Sequence, residues 1–562
     1  MLDIINKIRH ILGRKDKLAL SGVALLMTLS SLLEMAGIGV LVALVTLILV
    51  PDTSFQGEFL TRAAEFFKEM ISVHGKYRML AAISLLFVLK ALFSYFIVKI
   101  SAVFIYAKQR EFAIRMYENF LRGDYQKLTL RPVGELEVNL HYCSLLSPYI
   151  LMPLAQFIGD CLTIFLLGAA LAAAMPLITF GGILFMALAG AAIQLASARM
   201  NRIEGEKFSR AETANAIIRL AGLNNVAYIK SVLAEAFFVD LYRKSELESN
   251  KSASRIFTLG QIPRFSLECA ATLLMLAIFA VMLYSEVPAA QILATFTAIV
   301  AVMARILPAL SRSHYNLMRI KQSKPIFDRI YHDLCGFPQE KSGNSEITPT
   351  LKRKLVIENV SYLHPGASEP TPKPFSLEIP AFSSCGIAGK TGCGKSTLIE
   401  MLLGLRVPAT GTIRADGTDI FSNVRAWRSG TGYVPQVINL IPGTLRENVA
   451  FGVPADQIDD KKVKEALELA QLTEFELDRP ISADGNNLSG GQKQRIGIAR
   501  ALYREVKLLI LDEATSNLDT DTEEAFVSAL DNLRGKLTLI VIAHRQNTIE
   551  KCDQIINLSD AG

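Results

Sequence analysis

Six long apolar runs fill the amino-terminal three fifths of the chain, and nothing else in the sequence constrains its fold as strongly. Leu18–Val50 is interrupted only by Glu34, and Leu80–Ala107, Ile150–Ala174, Leu177–Ala198, Phe265–Tyr284 and Val287–Leu310 follow. Each reaches or exceeds the roughly 20 residues that a helix needs to cross a hydrocarbon core of about 30 Å. No comparable run follows Leu310. Composition agrees: of 562 residues, 51% are hydrophobic and 20% charged, where a soluble protein carries about 25% charge. A small single domain, a disordered chain and a disulfide-rich secreted scaffold are all excluded. The pattern predicts a polytopic membrane half joined to a soluble half.

The first run is too long for a signal-peptide core and no cleavage site follows it, so it is expected to remain in the mature protein. Basic residues set the orientation. Lys7, Arg9, Arg14, Lys15 and Lys17 precede span one, and Lys108, Arg110, Arg115, Arg122, Lys127 and Arg131 separate spans two and three. A long basic stretch from Arg199 to Arg264 separates spans four and five. The amino terminus and these loops are therefore expected in the cytosol. The net charge of +6 follows from this bias and is no argument for nucleic acid. None of the seven cysteines (143, 161, 269, 335, 385, 393, 552) falls in an outer loop, and none shows paired metal-ligand spacing. Reduced thiols are expected.

From Ser311 to about Tyr331 the sequence is amphipathic and basic, as if the sixth helix ran on into the cytosol. The domain boundaries read as 1–335 for the six-helix membrane domain with its cytosolic loops, 336–350 for a polar linker, and 351–562 for a soluble domain. In the last, short β-rich runs (Leu355–Val360, Leu508–Leu511, Leu537–Ile542) alternate with helices, which predicts an α/β fold with a mostly parallel sheet.

The soluble domain carries Gly389-Lys390-Thr391-Gly392-Cys393-Gly394-Lys395-Ser396-Thr397, a G-x-x-x-x-G-K-[ST] loop between a strand-like segment and a helix-like one. Such a loop turns backbone N–H groups and a helix N-terminus toward phosphate. Lys395 would neutralise the β- and γ-phosphates, and Ser396 would offer its hydroxyl to Mg²⁺. The apolar strand Leu508–Leu511 ends in Asp512-Glu513, one carboxylate suited to the Mg²⁺ shell and the next to the attacking water.

Between these lies Leu488-Ser489-Gly490-Gly491-Gln492. With it, nearly all of Leu351–Gly562 resembles the nucleotide-binding domain of an ATP-binding cassette (ABC) protein, an α/β P-loop ATPase. The resemblance implies that Gln436 is the glutamine that meets Mg²⁺ and senses the membrane domain, that Asp519 belongs to a D-loop, and that His544 contacts the γ-phosphate. Glu513 and His544 would be catalytic, with Ser396, Gln436 and Asp512 around the metal. Two such domains sandwich ATP in the family, so Ser489 to Gln492 would serve a site on a second copy. A homodimer is the simplest assembly, and a heterodimer with a degenerate partner is the alternative. The chain departs from the family where an aromatic usually stacks on adenine: it has His364-Pro365, with Tyr362 as the fallback. It also has Asp484 where a glutamate usually precedes the signature.

Six spans with two long cytosolic excursions resemble an ABC exporter half-transporter, whose coupling helices would fall near Gln126–Glu135 and Leu220–Lys230. Within the spans, Glu34, Lys90, Lys99, Asp160, Glu268 and Arg305 are ionisable. They either form a basic cavity for an anionic head group, or pair between helices and snorkel to the interface. Leu60 to Ile71 in the first outer loop has amphipathic helical spacing. This loop, with the stretches Glu34–Gly39 and Arg305–Pro308, resembles lipid-linked oligosaccharide flippases. The expectation is ATP-driven, Mg²⁺-dependent flipping of an amphipathic substrate among membrane lipids, in a bacterial cytoplasmic membrane. A peptide, toxin or drug exporter and an ATP-gated channel or regulator are the alternatives.

Overall fold

The computed structural model describes residues 2–19, nine positions between 22 and 37, 76–174, 176–285, 289–340, 349–482, 485, 487–513, 528, 530–542 and 549–558. It divides into two compact units, Met1–Gly123 with Lys127–Gln339, and Asp124–Gln126 with Glu340–Gly562.

The first unit is helical. Its elements are α1 (Leu2–Ile11), α2 (Lys76–Leu121), α3 (Val133–Cys143), α4 (Met152–Ala174), α5 (Pro176–Asn224), α6 (Glu235–Tyr284), α7 (Ala289–Gln322) and α8 (Lys324–Cys335). Three helical stretches among the described residues are long and apolar enough to cross a membrane: Ser84–Leu121, Ser147–Ala169 and Glu235–Tyr284. The fourth and sixth apolar runs lie in α5 and α7. Most of the first run, and the outer-loop segment 60–71, lie outside the described residues.

The extension of α7 beyond the sixth apolar run breaks at Ser323. Pro325 in the first turn of α8 explains the break, because its missing N–H is harmless only at a helix start. In α1, Ile4, Ile8 and Ile11 repeat at helical spacing and are buried with Phe112 and Met116 of α2 and Phe327, Ile330 and Leu334 of α8. One apolar stripe thus fastens the amino terminus beside the end of the membrane unit. The short helices Tyr125–Thr129 and Val226–Ser231 fall in the two excursions.

The second unit has two main sheets. Strands β1 (Lys354–Ser361), β2 (Phe375–Pro380) and β4 (Thr410–Ala415), with the short Thr418–Asp419, form an antiparallel sheet. Strands β3 (Ser384–Ala388), β5 (Thr431–Val434), β6 (Leu508–Asp512), β7 (Thr538–Ile542) and β8 (Gln554–Asn557) form a parallel sheet in the order β8-β3-β7-β6-β5. Residues 508–511 and all of β7 are buried, as expected of parallel strands covered on both faces. Helix α9 (Lys395–Leu402) follows β3, and α10 (Gly490–Leu502) precedes β6. This order places the loops after β3 and β6 at the same carboxyl edge, where open α/β sheets bind ligands.

Candidate nucleotide site

The phosphate loop is shaped by its glycines and by the segment beneath it. Gly394 has a φ of 100°, in the region that favours glycine. A Cβ there would come within 2.6 Å of Pro372 N, so a side chain is excluded twice over. Gly394 also starts α9, and no side chain caps that end. The first N–H groups of α9 therefore face the loop without an internal acceptor, which suits phosphate. Lys395 is buried, its Nζ donating to Gly389 O at 2.6 Å. Lys390, Thr391, Gly392 and Ser396 are exposed, while Cys393 is half-buried.

His364 stands over the start of α9, its Nε2 3.1 Å from Thr397 Oγ1, and packs edge-on against Tyr362 at 4.9 Å. Tyr362 is itself 5% exposed and accepts from Arg406 through its hydroxyl at 3.0 Å. Its ring packs in the core, whereas His364 is half-buried.

At the end of β6, Asp512 accepts from Tyr433 Oη at 3.2 Å. Burial raises the Asp512 pKa above the ordinary carboxylate value, while the Tyr433 hydrogen bond and the Lys395 charge pull it back. The same burial raises the Tyr433 phenol. Glu513 has a φ of 49°, strained for a residue with a side chain, at a cost of about 1–3 kcal/mol. Its N–H donates to Ile542 O of β7 at 2.8 Å, which turns the chain off the strand end. Glu513 Oε2 accepts from Gln436 Nε2 at 2.7 Å.

The signature caps a helix. Ser489 Oγ accepts from Gln492 N–H, and Gln492 Oε1 accepts from Ser489 N–H, a reciprocal capping box. Ser489 and Gly490 are exposed at that end, whereas Gly491 is buried. Asp484, Asp519 and His544 lie outside the described residues. Two residues given no role in the sequence reading join the site: Tyr433, and Tyr125 of the first excursion. Tyr125 belongs to the second unit, where its hydroxyl donates to Glu400 on α9 at 3.0 Å.

The donors suited to a metal here, Ser396 hydroxyl, Gln436 amide and Asp512 carboxylate, are all oxygens, which matches a hard cation such as Mg²⁺. A phosphate loop, a strand-end carboxylate pair and an exposed capped signature give the second unit the arrangement of an ABC-type ATPase, joined to a helical unit of membrane-spanning length as in the fold of ABC exporters. Residues 372–516 match the ABC transporter family. The ATP-dependent lipid A-core flippase of Vibrio vulnificus (strain YJ016) is 36% identical over 234 residues, 40% of each chain. The protein of that name in Escherichia coli (strain K12) is 36% identical over 229 residues, 40% of this chain and 39% of its own. That of Shewanella frigidimarina (strain NCIMB 400) is 34% identical over 277 residues, 47% and 45%. The chain thus spans less than half the length of these curated relatives. A solved bacterial Atm1-family ABC exporter with ATP bound superposes with a TM-score of 0.76 at 20% identity, over 97% of this chain and 93% of that one.

Proposed function

We propose that the protein uses ATP hydrolysis to flip an amphipathic, anionic lipid-linked saccharide across a bacterial cytoplasmic membrane, with its amino terminus and ATPase domain in the cytosol. In this reading 1–335 is the membrane domain, 336–350 the linker and 351–562 the nucleotide-binding domain, working as a homodimer. The observation that carries the ATPase part is the convergence of Lys395, Asp512, Glu513 and Gln436 at one sheet edge. Lys395 leaves Gly389 O to neutralise phosphate charge, and His364 stacks on the base. Bound Mg²⁺ would neutralise the β- and γ-phosphates, held by Ser396, Asp512 and Gln436. Glu513 takes a proton at Oε from the attacking water, with His544 at the γ-phosphate. Gln436 suits a double role, since its Nε2 holds Glu513 while its Oε1 stays available to the metal.

The cargo reading is supported by the relatives' names and by charge. Arg305, Arg312 and Arg319 follow at seven-residue steps along α7, which places them on one helix face. The Arg305 and Arg312 side chains are exposed. The acids are partnered: Asp160 accepts from Arg312 at 2.8 Å and Glu268 from Arg264 at 3.1 Å. Arg312 is therefore already balanced by Asp160, and the charge that favours an anionic cargo is the row of three arginines along one face of α7.

Proteoliposomes test the whole reading. Native protein should translocate a labelled polyprenyl-linked saccharide with ATP, while Glu513→Gln keeps ATP binding and loses turnover by at least about a hundredfold. Transport of a peptide panel but not the saccharide would overturn the cargo. Full ATPase activity in Glu513→Gln would overturn Glu513 as base.

A further inference from the structure

We infer that Thr397 is a positioning residue for the nucleotide base: its hydroxyl fixes the His364 imidazole in place, so that one helix, α9, sets both ends of a bound nucleotide. The inference rests on the reading above in which His364 stacks on the base. His364 lies between β1 and β2, outside both strands, and its stretch is pinned to α9 and the loop before it at three points. His364 Nε2 lies 3.1 Å from Thr397 Oγ1. Glu400 accepts from Arg406 Nε, and Arg406 in turn donates to the Tyr362 hydroxyl at 3.0 Å, which holds the ring that packs edge-on against His364. Pro372 lies so close to Gly394 that no side chain fits between them. Thr397 and Glu400 are three residues apart and share one face of α9.

An imidazole is a small platform. It offers a base less area than a phenol does, so a ring that had to be frozen on binding would lose much of what the stack gains. A hydrogen bond made beforehand removes that cost. Thr397 suits the task because it is buried, sits on a helix and is stiff at χ1. Its hydroxyl is also free of the usual helical use. Thr163, Thr213, Thr258 and Thr272 each donate to the carbonyl four residues back, the common habit of a helical threonine. Thr397 stands in the first turn of α9, where the residue four back precedes the helix, and its hydroxyl meets His364 instead. Lys395, the phosphate lysine of the reading above, lies two residues earlier on the same helix. The span from base to phosphate is thus fixed by the backbone of α9 rather than by a separate loop.

The test uses the full chain in lipid nanodiscs, with steady-state ATPase rates and inhibition by inorganic tripolyphosphate, which carries the phosphates without a base. Thr397→Val keeps the shape and drops the hydroxyl; it should raise KM for ATP about fivefold, the loss of one ordinary hydrogen bond, with the larger share of the effect on KM rather than kcat. Its inhibition constant for tripolyphosphate should stay within about twofold of native. Thr397→Ser retains the hydroxyl and should bring KM back toward native. His364→Ala should raise KM by itself, and adding Thr397→Val to it should raise KM no further. A tripolyphosphate constant that rises as much as KM would put Thr397 to work on the phosphates, and full additivity with His364→Ala would make the two residues independent; either result overturns the proposal. If Thr397→Val does not fold, Thr397→Ala carries the same comparisons. A native KM in His364→Ala overturns the stacking reading together with its positioning, whereas a raised KM there beside a native KM in Thr397→Val overturns the positioning alone.

Discussion

In the helical unit a buried carboxylate meets a cation from a distant part of the chain. Asp160 takes Arg312 at 2.8 Å, Asp333 takes Arg131 at 2.8 Å, and Glu204 takes both Arg255 at 3.2 Å and Lys207 at 3.1 Å. In the ATPase unit the two carboxylates that end β6 take hydrogen bonds from uncharged donors, Tyr433 on Asp512 and Gln436 on Glu513. An arginine cancels a carboxylate's charge as well as orienting it; a phenol or an amide orients it and leaves the charge for chemistry. The difference separates side chains that hold helices together from side chains that do work on a ligand. It can be broken by removing one partner from each kind.

The largest effect is expected at Asp333, which is 2% exposed. Arg131 reaches both of its oxygens, Asn139 donates to Oδ2 at 2.8 Å, and Asn119 caps the Asp333 and Leu334 carbonyls nearby. Asp333→Ala strands a half-buried guanidinium and should cost about 3 kcal/mol of stability, toward the low end of buried-pair values because Arg131 keeps Glu135. Chemical denaturation in detergent measures it. Arg131→Ala/Asp333→Ala should cost less than the two single changes summed, and strict additivity would show that the pair is not coupled.

Tyr433→Phe probes the other kind. It leaves the fold intact and removes one orienting hydrogen bond, worth about 1 kcal/mol or roughly fivefold in rate. The pH profile is the sharper readout. Burial already holds the Asp512 pKa above the carboxylate norm, and the phenol pulls it down. Without that donor the pKa rises further, and Asp512 has to be ionised to hold a metal. Activity in Tyr433→Phe should therefore fail at a higher pH than in native protein as the solution is acidified. An unmoved acid limb would mean that Asp512 does not set it.

This contrast also separates what could be read from the sequence from what could not. The phosphate loop and Asp512-Glu513 are local, because each sits at a strand end that the apolar runs announce, and the fold class follows from the alternation around them. Tyr433 was within reach: β5 pairs with β6 with Tyr433 opposite Ile510, and Asp512 lies two residues on, on the same face. Its pairing partner Ile510 is 77 residues further along the chain, however, and strand order is not written locally. Arg131 and Asp333 lie 202 residues apart, with no periodicity linking them, so only the packed helices bring them together. The choice between His364 and Tyr362 was likewise not written locally, since Arg406, which donates to the buried Tyr362 hydroxyl, lies 44 residues away.

The smallest effect is expected where the cation is redundant. Glu204 is 6% exposed, yet it is served by Lys207 on its own helix and Arg255 on α6. Both cations reach well into solvent, with side-chain exposures of 56% and 63%, so each contributes little alone. Arg255→Gln leaves Lys207 in place and an amide able to donate to Oε1, and should cost under about 0.5 kcal/mol. Removing both cations at once leaves the buried carboxylate with Ser252 but no cation and should cost several times more. A large loss from Arg255→Gln by itself would mean that Lys207 does not substitute, and that Glu204 depends on one specific cross-helix partner, as Asp333 does.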